Sequence, residues 1–177
     1  ACGYCAPNIP IPRSLLARAI GADDSAQQQK LDKALRRLYR LGLMTPTDTG
    51  PRVHTLLAEF ARIQDQDADA SVLPGLAQGL GDLASEANKT GLPGAMEPLR
   101  EHLRAVAEAA EVAELDTAGL LWNNLGFHLR VVADYKGARK CFERALEIDE
   151  AIYGPDHYIV AIRLSNLGMV LKDMGDL

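Results

Sequence analysis

Cys2-Gly3-Tyr4-Cys5 sets two thiols at the spacing used in thiol–disulfide exchange. That chemistry needs a helix opening directly after the pair, in a strand–helix–strand setting, to lower one thiol's pKa. Pro7, Pro10 and Pro12 follow instead and make residues 6–12 extended. Zinc would need two more ligands, and neither a second cysteine pair nor a close histidine pair supplies them. Both thiols therefore read as structural, and Cys141, inside a helical stretch, reads as core. His102, His128 and His157 are dispersed, with no carboxylate-and-nucleophile setting around them. No Gly-x-x-x-x-Gly-Lys-Ser/Thr loop occurs, so this chain cannot cradle a triphosphate by that route. The expectation is a binding protein rather than an enzyme, with no metal and no cofactor of its own.

Charge is unevenly placed along the 177 residues, whose net charge is −5. Residues 1–66 hold 9 Lys/Arg against 6 Asp/Glu, and residues 67–177 hold 10 against 18. The acidic part makes a poor nucleic-acid partner. In the basic part, Lys33, Arg36, Arg37 and Arg40 share the polar side of a helix predicted over 27–41, with Leu31, Ala34, Leu35, Leu38 and Leu41 as its apolar stripe. That face suits a DNA-recognition helix, a solvated surface or a dock for another domain. A net +3 neutralises too few phosphates for tight DNA binding. No apolar run approaches the ~18 residues of a membrane span, and the start is not a signal peptide. With three cysteines and no disulfide framework, the cytoplasm is the expected compartment. The chain begins without Met and stops after a repeat unit's second Asp, which reads as a piece of a longer protein.

The elements that position these residues are mostly helical, as an Ala/Leu-rich, aromatic-poor chain favours. A helix is predicted over 13–20, ended by Gly21, then the helix over 27–41, ended by Gly42. Residues 43–46 and 51–54 read as a two-stranded ribbon around a turn at 48–50. A helix over 54–64 is expected to bury Leu57, Phe60, Ala61 and Ile63. The polar run 64–69 marks a boundary. Beyond it, helices over 72–87 and 96–114 should pair as a hairpin across a turn at 90–94.

Asn124-Leu125-Gly126 returns 42 residues later as Asn166-Leu167-Gly168, and the same offset carries Leu120 to Ile162, Trp122 to Leu164, Leu129 to Leu171 and Asp134 to Asp176. Such a period belongs to stacked helical hairpins that bury a shared core. Trp122-Asn123-Asn124-Leu125-Gly126-Phe127-His128-Leu129 with Ala138-Arg139-Lys140-Cys141-Phe142 resembles the tetratricopeptide pattern W-x2-L-G-x2-Y…A-x3-F, Leu129 standing in the Tyr place. The extra length, ending in Gly154-Pro155-Asp156-His157, resembles the long repeats of the kinesin light chain type. The resemblance implies a concave groove for a protein or peptide partner, lined by Asn123, Asn124, Phe127, Arg130, Asn166, Met169 and Lys172.

Residues 9–16, 35–44 and 53–62 resemble the winged-helix segment that follows the NB-ARC nucleotide-binding domain of STAND-class signalling ATPases. In that family a Met-His-Asp motif at the end of the wing reads bound ADP. His54 matches its His, while Val53 and Thr55 replace Met and Asp. A neutral imidazole beside a helix N-terminus suits a phosphate contact on physical grounds. The resemblance implies an upstream nucleotide-binding domain and an ADP/ATP site in the parent protein.

The expected fold is mainly α: a winged-helix-like domain over 1–66, a divergent hairpin over 67–119 that stands as a possible first repeat, and tetratricopeptide repeats over 120–177. The function expected is a regulatory, protein-interaction segment of a STAND/NB-ARC-type ATPase. The alternative is a transcription regulator with a DNA-binding winged helix and an effector-binding repeat domain.

Overall fold

A computed structural model describes residues 1–22, 24–66 and 71–175. The chain is mainly helical. It runs through α1 (Arg13–Ala19), α2 (Ser25–Arg40), β1 (Met44–Thr47), β2 (Gly50–Val53), α3 (Thr55–Gln66), α4 (Leu73–Lys89), α5 (Pro93–Met96), α6 (Arg100–Val112), α7 (Thr117–Val131), α8 (Tyr135–Tyr153) and α9 (Tyr158–Met174). The helix expected over 96–114 begins only at Arg100, as α6, and the turn expected at 90–94 runs into the short helix α5. Pro98 has no N–H to give a continuous helix, and Leu99 N–H turns back to Met96 O instead. The expected boundary at 64–69 lies partly outside the described residues, as does Asp176, the repeat partner of Asp134.

β1 and β2 pair antiparallel, Met44 opposite Val53 and Thr47 opposite Gly50. The proline-rich arm runs beside this ribbon. Asn8 N–H donates to Val53 O and Ile11 N–H to Pro51 O, both at 2.8 Å. On its other side the arm meets α6: His102 Nδ1 accepts from Ala6 N–H at 3.1 Å, and His102 Nε2 lies 2.9 Å from Pro10 O. Since Nδ1 accepts, Nε2 must carry the proton and donate. One buried imidazole thus ties the arm to the helical stack.

α3 departs from expectation. Phe60 and Ile63 were to be buried, yet they are 61% and 53% exposed, and Leu56 is 69% exposed. Ala58 is the buried residue, with Leu57 half-buried. Gly3 explains the rotation, because a Cβ there would fall 2.9 Å from Ala58 O and 3.0 Å from Arg62 N. The arm lies so close that only the small-residue side of α3 fits beneath it, and the stripe at i, i+4, i+7 turns outward. On α2, Leu31 and Leu35 are buried, but Ala34 and Leu41 are exposed.

From α4 onward the helices stack. α4 packs on α1, α6 and α7; α7 packs on α6 and α8; α8 packs on α9. Close approach is built into the sequence of α4. A Cβ at Gly79 would stand 3.0 Å from Arg18 Cβ on α1, and one at Gly81 would stand 3.1 Å from Leu120 on α7. At the α7–α8 crossing, Gly126 leaves room for the Phe142 ring, which a Cβ would approach to 2.8 Å. Phe142, Leu121, Leu125, Ala138 and Ala145 are fully buried around it. Ala133 takes a left-handed conformation (φ 63°) and Asp134 caps Gly137 N–H at 3.0 Å, closing the turn between these helices. Leu164, the counterpart of Trp122, is 51% exposed. Trp122 lies under Arg144 of α8, whereas no helix follows α9 among the described residues to cover Leu164.

Candidate protein-binding face

α4, α7 and α9 are joined by one hydrogen-bonding device used twice. Asn124 Nδ2 donates to Gly81 O at 3.2 Å and Ser85 Oγ at 2.9 Å, and Asn88 Nδ2 donates to Asn124 O at 3.0 Å. One unit on, Asn166 Nδ2 donates to Asn123 Oδ1 at 2.7 Å. Asn124 and Asn166 are repeat equivalents, and each reaches 43 residues back. Asn124 thus ties α7 to α4, and Asn166 ties α9 to α7.

The seven residues expected to line a groove divide by their surroundings. Asn124 is buried and occupied with α4. Asn123 and Asn166 bond to each other across the α7–α9 seam. Within the described residues, Asn123 Nδ2 and Asn166 Oδ1 have no hydrogen-bond partner, so the pair still offers one donor and one acceptor. Arg130 Nε donates to Asp173 Oδ2 at 2.5 Å, next to exposed Lys172. Phe127 and Met169 are half-buried beside them. The seam thus presents an amide pair, an apolar floor and a charged end.

Several residues that hold these helices together were missed in the sequence. Arg163 Nε donates to Asp149 Oδ2 at 2.6 Å, and the two side chains are only 9% and 2% exposed. Gly119 lets Asp149 in, since a Cβ would overlap its carboxylate. Glu111 Oε2 accepts from both Trp122 Nε1 (2.9 Å) and Arg144 Nε (2.6 Å), and the Arg144 guanidinium sits 5.3 Å from the Trp122 ring centre. The Glu111 hydrogen bond pushes the Arg144 pKa up. None of these pairs repeats at the 42-residue offset, which is why periodicity could not find them.

His54 is exposed at the start of α3, where its Nδ1 accepts from Leu56 N–H at 3.3 Å. His157 does the same for Ile159 N–H at 3.3 Å on α9. Both are helix caps, with Nε2 of His54 left unpartnered among the described residues. His102 and His128 are buried, and burial holds both rings below the ordinary imidazole pKa. His128 Nε2 has no hydrogen-bond partner and lies 3.7 Å from Glu97 Oε1. Burial pushes Cys5 up to about 12 and Cys141 to about 11, so neither is a thiolate at neutral pH.

Lys33, Arg36 and Arg40 line a shallow groove of about 730 Å³ with Gln29, Asp32 and Tyr39. Arg13 forms an ion pair with Asp32 beside it. Among the described residues no His, Cys, Asp or Glu side chains converge in threes as a metal site needs, and no helix is long and apolar enough to cross a membrane.

No curated protein and no solved structure matches the chain. Residues 116–177, which hold α7, α8 and α9, match the model of the tetratricopeptide repeat family.

Proposed function

We propose that this chain is the regulatory and protein-interaction segment of a STAND/NB-ARC-type ATPase. Tetratricopeptide repeats point to a protein-interaction role. The observation that carries this part is the unpaired donor and acceptor left by Asn123 and Asn166, which are 9% and 8% exposed on the α7–α9 seam. An extended peptide offers one C=O and one N–H in turn, which is what that pair complements. Asn123→Ala with Asn166→Ala, read against binders selected from a library of extended peptides, should weaken binding at least about tenfold. Unchanged affinity in the double variant sinks this reading.

The first 66 residues then act as the winged helix that couples partner binding to an ADP/ATP site in an upstream domain. What supports this is His54, at a helix N-terminus with its Nε2 free to meet a phosphate oxygen. The decisive observation is the sequence encoded before Ala1: a phosphate-binding loop there supports the reading, and its absence removes it. The groove on α2 favours a second reading, a transcription regulator that docks DNA on Lys33, Arg36 and Arg40. Salt-dependent DNA binding tests it, since phosphate contacts must give affinity that falls steeply with salt.

A further inference from the structure

A second groove lies away from the Asn123–Asn166 seam, bounded by α6, α7 and α8 and not by α9. It has a volume of about 390 Å³ and is lined by Leu115, Ala118, Ile148, Ala151 and Ile152, with Glu111 and Glu114 at its edge. Ile152 is 45% exposed, and Val112 at the end of α6 is 87% exposed. The apolar floor is thus open to water at its α8 edge, where Ala151 and Ile152 are exposed, while Leu115 and Ile148 are half-buried and Ala118 is buried.

The rim is acidic. Glu114 lines the slot, exposed Asp116 follows its lining residue Leu115, and exposed Glu147 precedes its lining residue Ile148 on α8. Arg144 is occupied by Glu111, and Asp149 by Arg163. Among the described residues Glu108, Glu114, Asp116 and Glu147 have no ion-pair partner. An apolar slot flanked by carboxylates that form no salt bridge selects its occupant by chemistry: apolar side chains along one face, cations along both flanks. Nucleic acid and anionic lipid are repelled by the same rim.

We infer that this slot docks a basic amphipathic helix of a partner protein, with its Leu/Ile face on Ile148, Ala151 and Ile152 and its Lys/Arg flanks on Glu114, Asp116 and Glu147. The site is separate from the peptide-binding seam proposed above, and each can fail without the other.

The test uses residues 1–177 and a fluorescent helical peptide of about 18 residues with Leu at i, i+3, i+4 and i+7 and Lys on both flanks. A matched peptide carries Glu in place of Lys. The Lys peptide should bind at least about tenfold tighter, by a margin that shrinks with salt. Ala151→Lys with Ile152→Lys, both at exposed positions, should abolish that preference while leaving the melting curve in place. Met169→Lys, on the other seam, should leave it unchanged. The proposal is overturned if the two peptides bind alike or if the slot variant still prefers Lys. Loss of the preference in the Met169→Lys variant alone overturns it too, because the peptide then sits on the seam. Co-sedimentation of the unsubstituted chain with anionic vesicles would likewise overturn it in favour of a lipid surface.

Discussion

Two buried histidines show how the same side chain stabilises one site and strains another. His102 uses both ring nitrogens on the backbone of the arm, so His102→Ala strands the Ala6 N–H and the Pro10 C=O. A loss of about 3 kcal/mol is expected, with faster amide exchange confined first to residues 6–11. Hydrogen-exchange protection there that survives the substitution would refute it. His128 has the opposite standing. Its Nε2 is buried without a partner, and its repeat equivalent is the fully buried Val170. His128→Leu should therefore leave stability unchanged or raise it by about 1 kcal/mol. Both rings have folded pKa values below the unfolded one, so the unfolded chain binds protons first as pH falls. Stability is complete above about pH 6.5 and declines below it until the folded rings titrate. Thermal melts between pH 8 and 5 should show the decline, and it should be shallower in His128→Leu.

At the level of elements, what the sequence disclosed and what it hid follow from range. Gly126, Phe142 and Ala138 lie in one hairpin, and their match to the tetratricopeptide pattern pointed to the α7–α8 crossing that the structure shows. The hairpin over 67–119 was expected only as a possible, divergent first repeat, and the bond from Asn124 to α4 had no signature because its acceptor is a backbone carbonyl, Gly81 O. The rotation of α3 was hidden for a related reason, since Gly3 dictates it from more than fifty residues away. The Arg163–Asp149 pair joins α8 to α9 and carries a testable consequence. Removing Arg163 as Met should cost about 3–5 kcal/mol, because a buried carboxylate is left uncompensated. Arg163→Met with Asp149→Leu should recover most of it, for the apolar pair has no charge to desolvate. Denaturant midpoints decide: equal losses in the single and double variants would mean packing, not charge, holds the seam.

For the whole molecule the question is whether the arm and ribbon melt with the stack or before it. A single cluster of buried side chains runs from Tyr4 through Leu16, Leu76, Leu121 and Phe142 to Val170. α1 lies against the glycine side of α4, and Arg18 pairs with Glu86 at 2.9 Å across that contact. Asp65 adds a stitch at the end of α3. Burial disfavours its charge, but hydrogen bonds from Ser71 Oγ, Val72 N–H and Tyr4 Oη outweigh this and hold its pKa below the ordinary value. With no independent core on either side to sustain a half-folded state, unfolding should be one cooperative transition. Two probes at opposite ends can measure it. Trp122, the one tryptophan, reports on the α6–α7–α8 junction through its Glu111 and Arg144 contacts. Cys5, 2% exposed, reports on the arm, because it can be alkylated only once the arm leaves the stack. Coincident denaturant midpoints for Trp122 fluorescence and Cys5 labelling are the expected result. Cys5 labelling at clearly lower denaturant would instead make the first 66 residues a separable unit, able to move while the repeats stay folded.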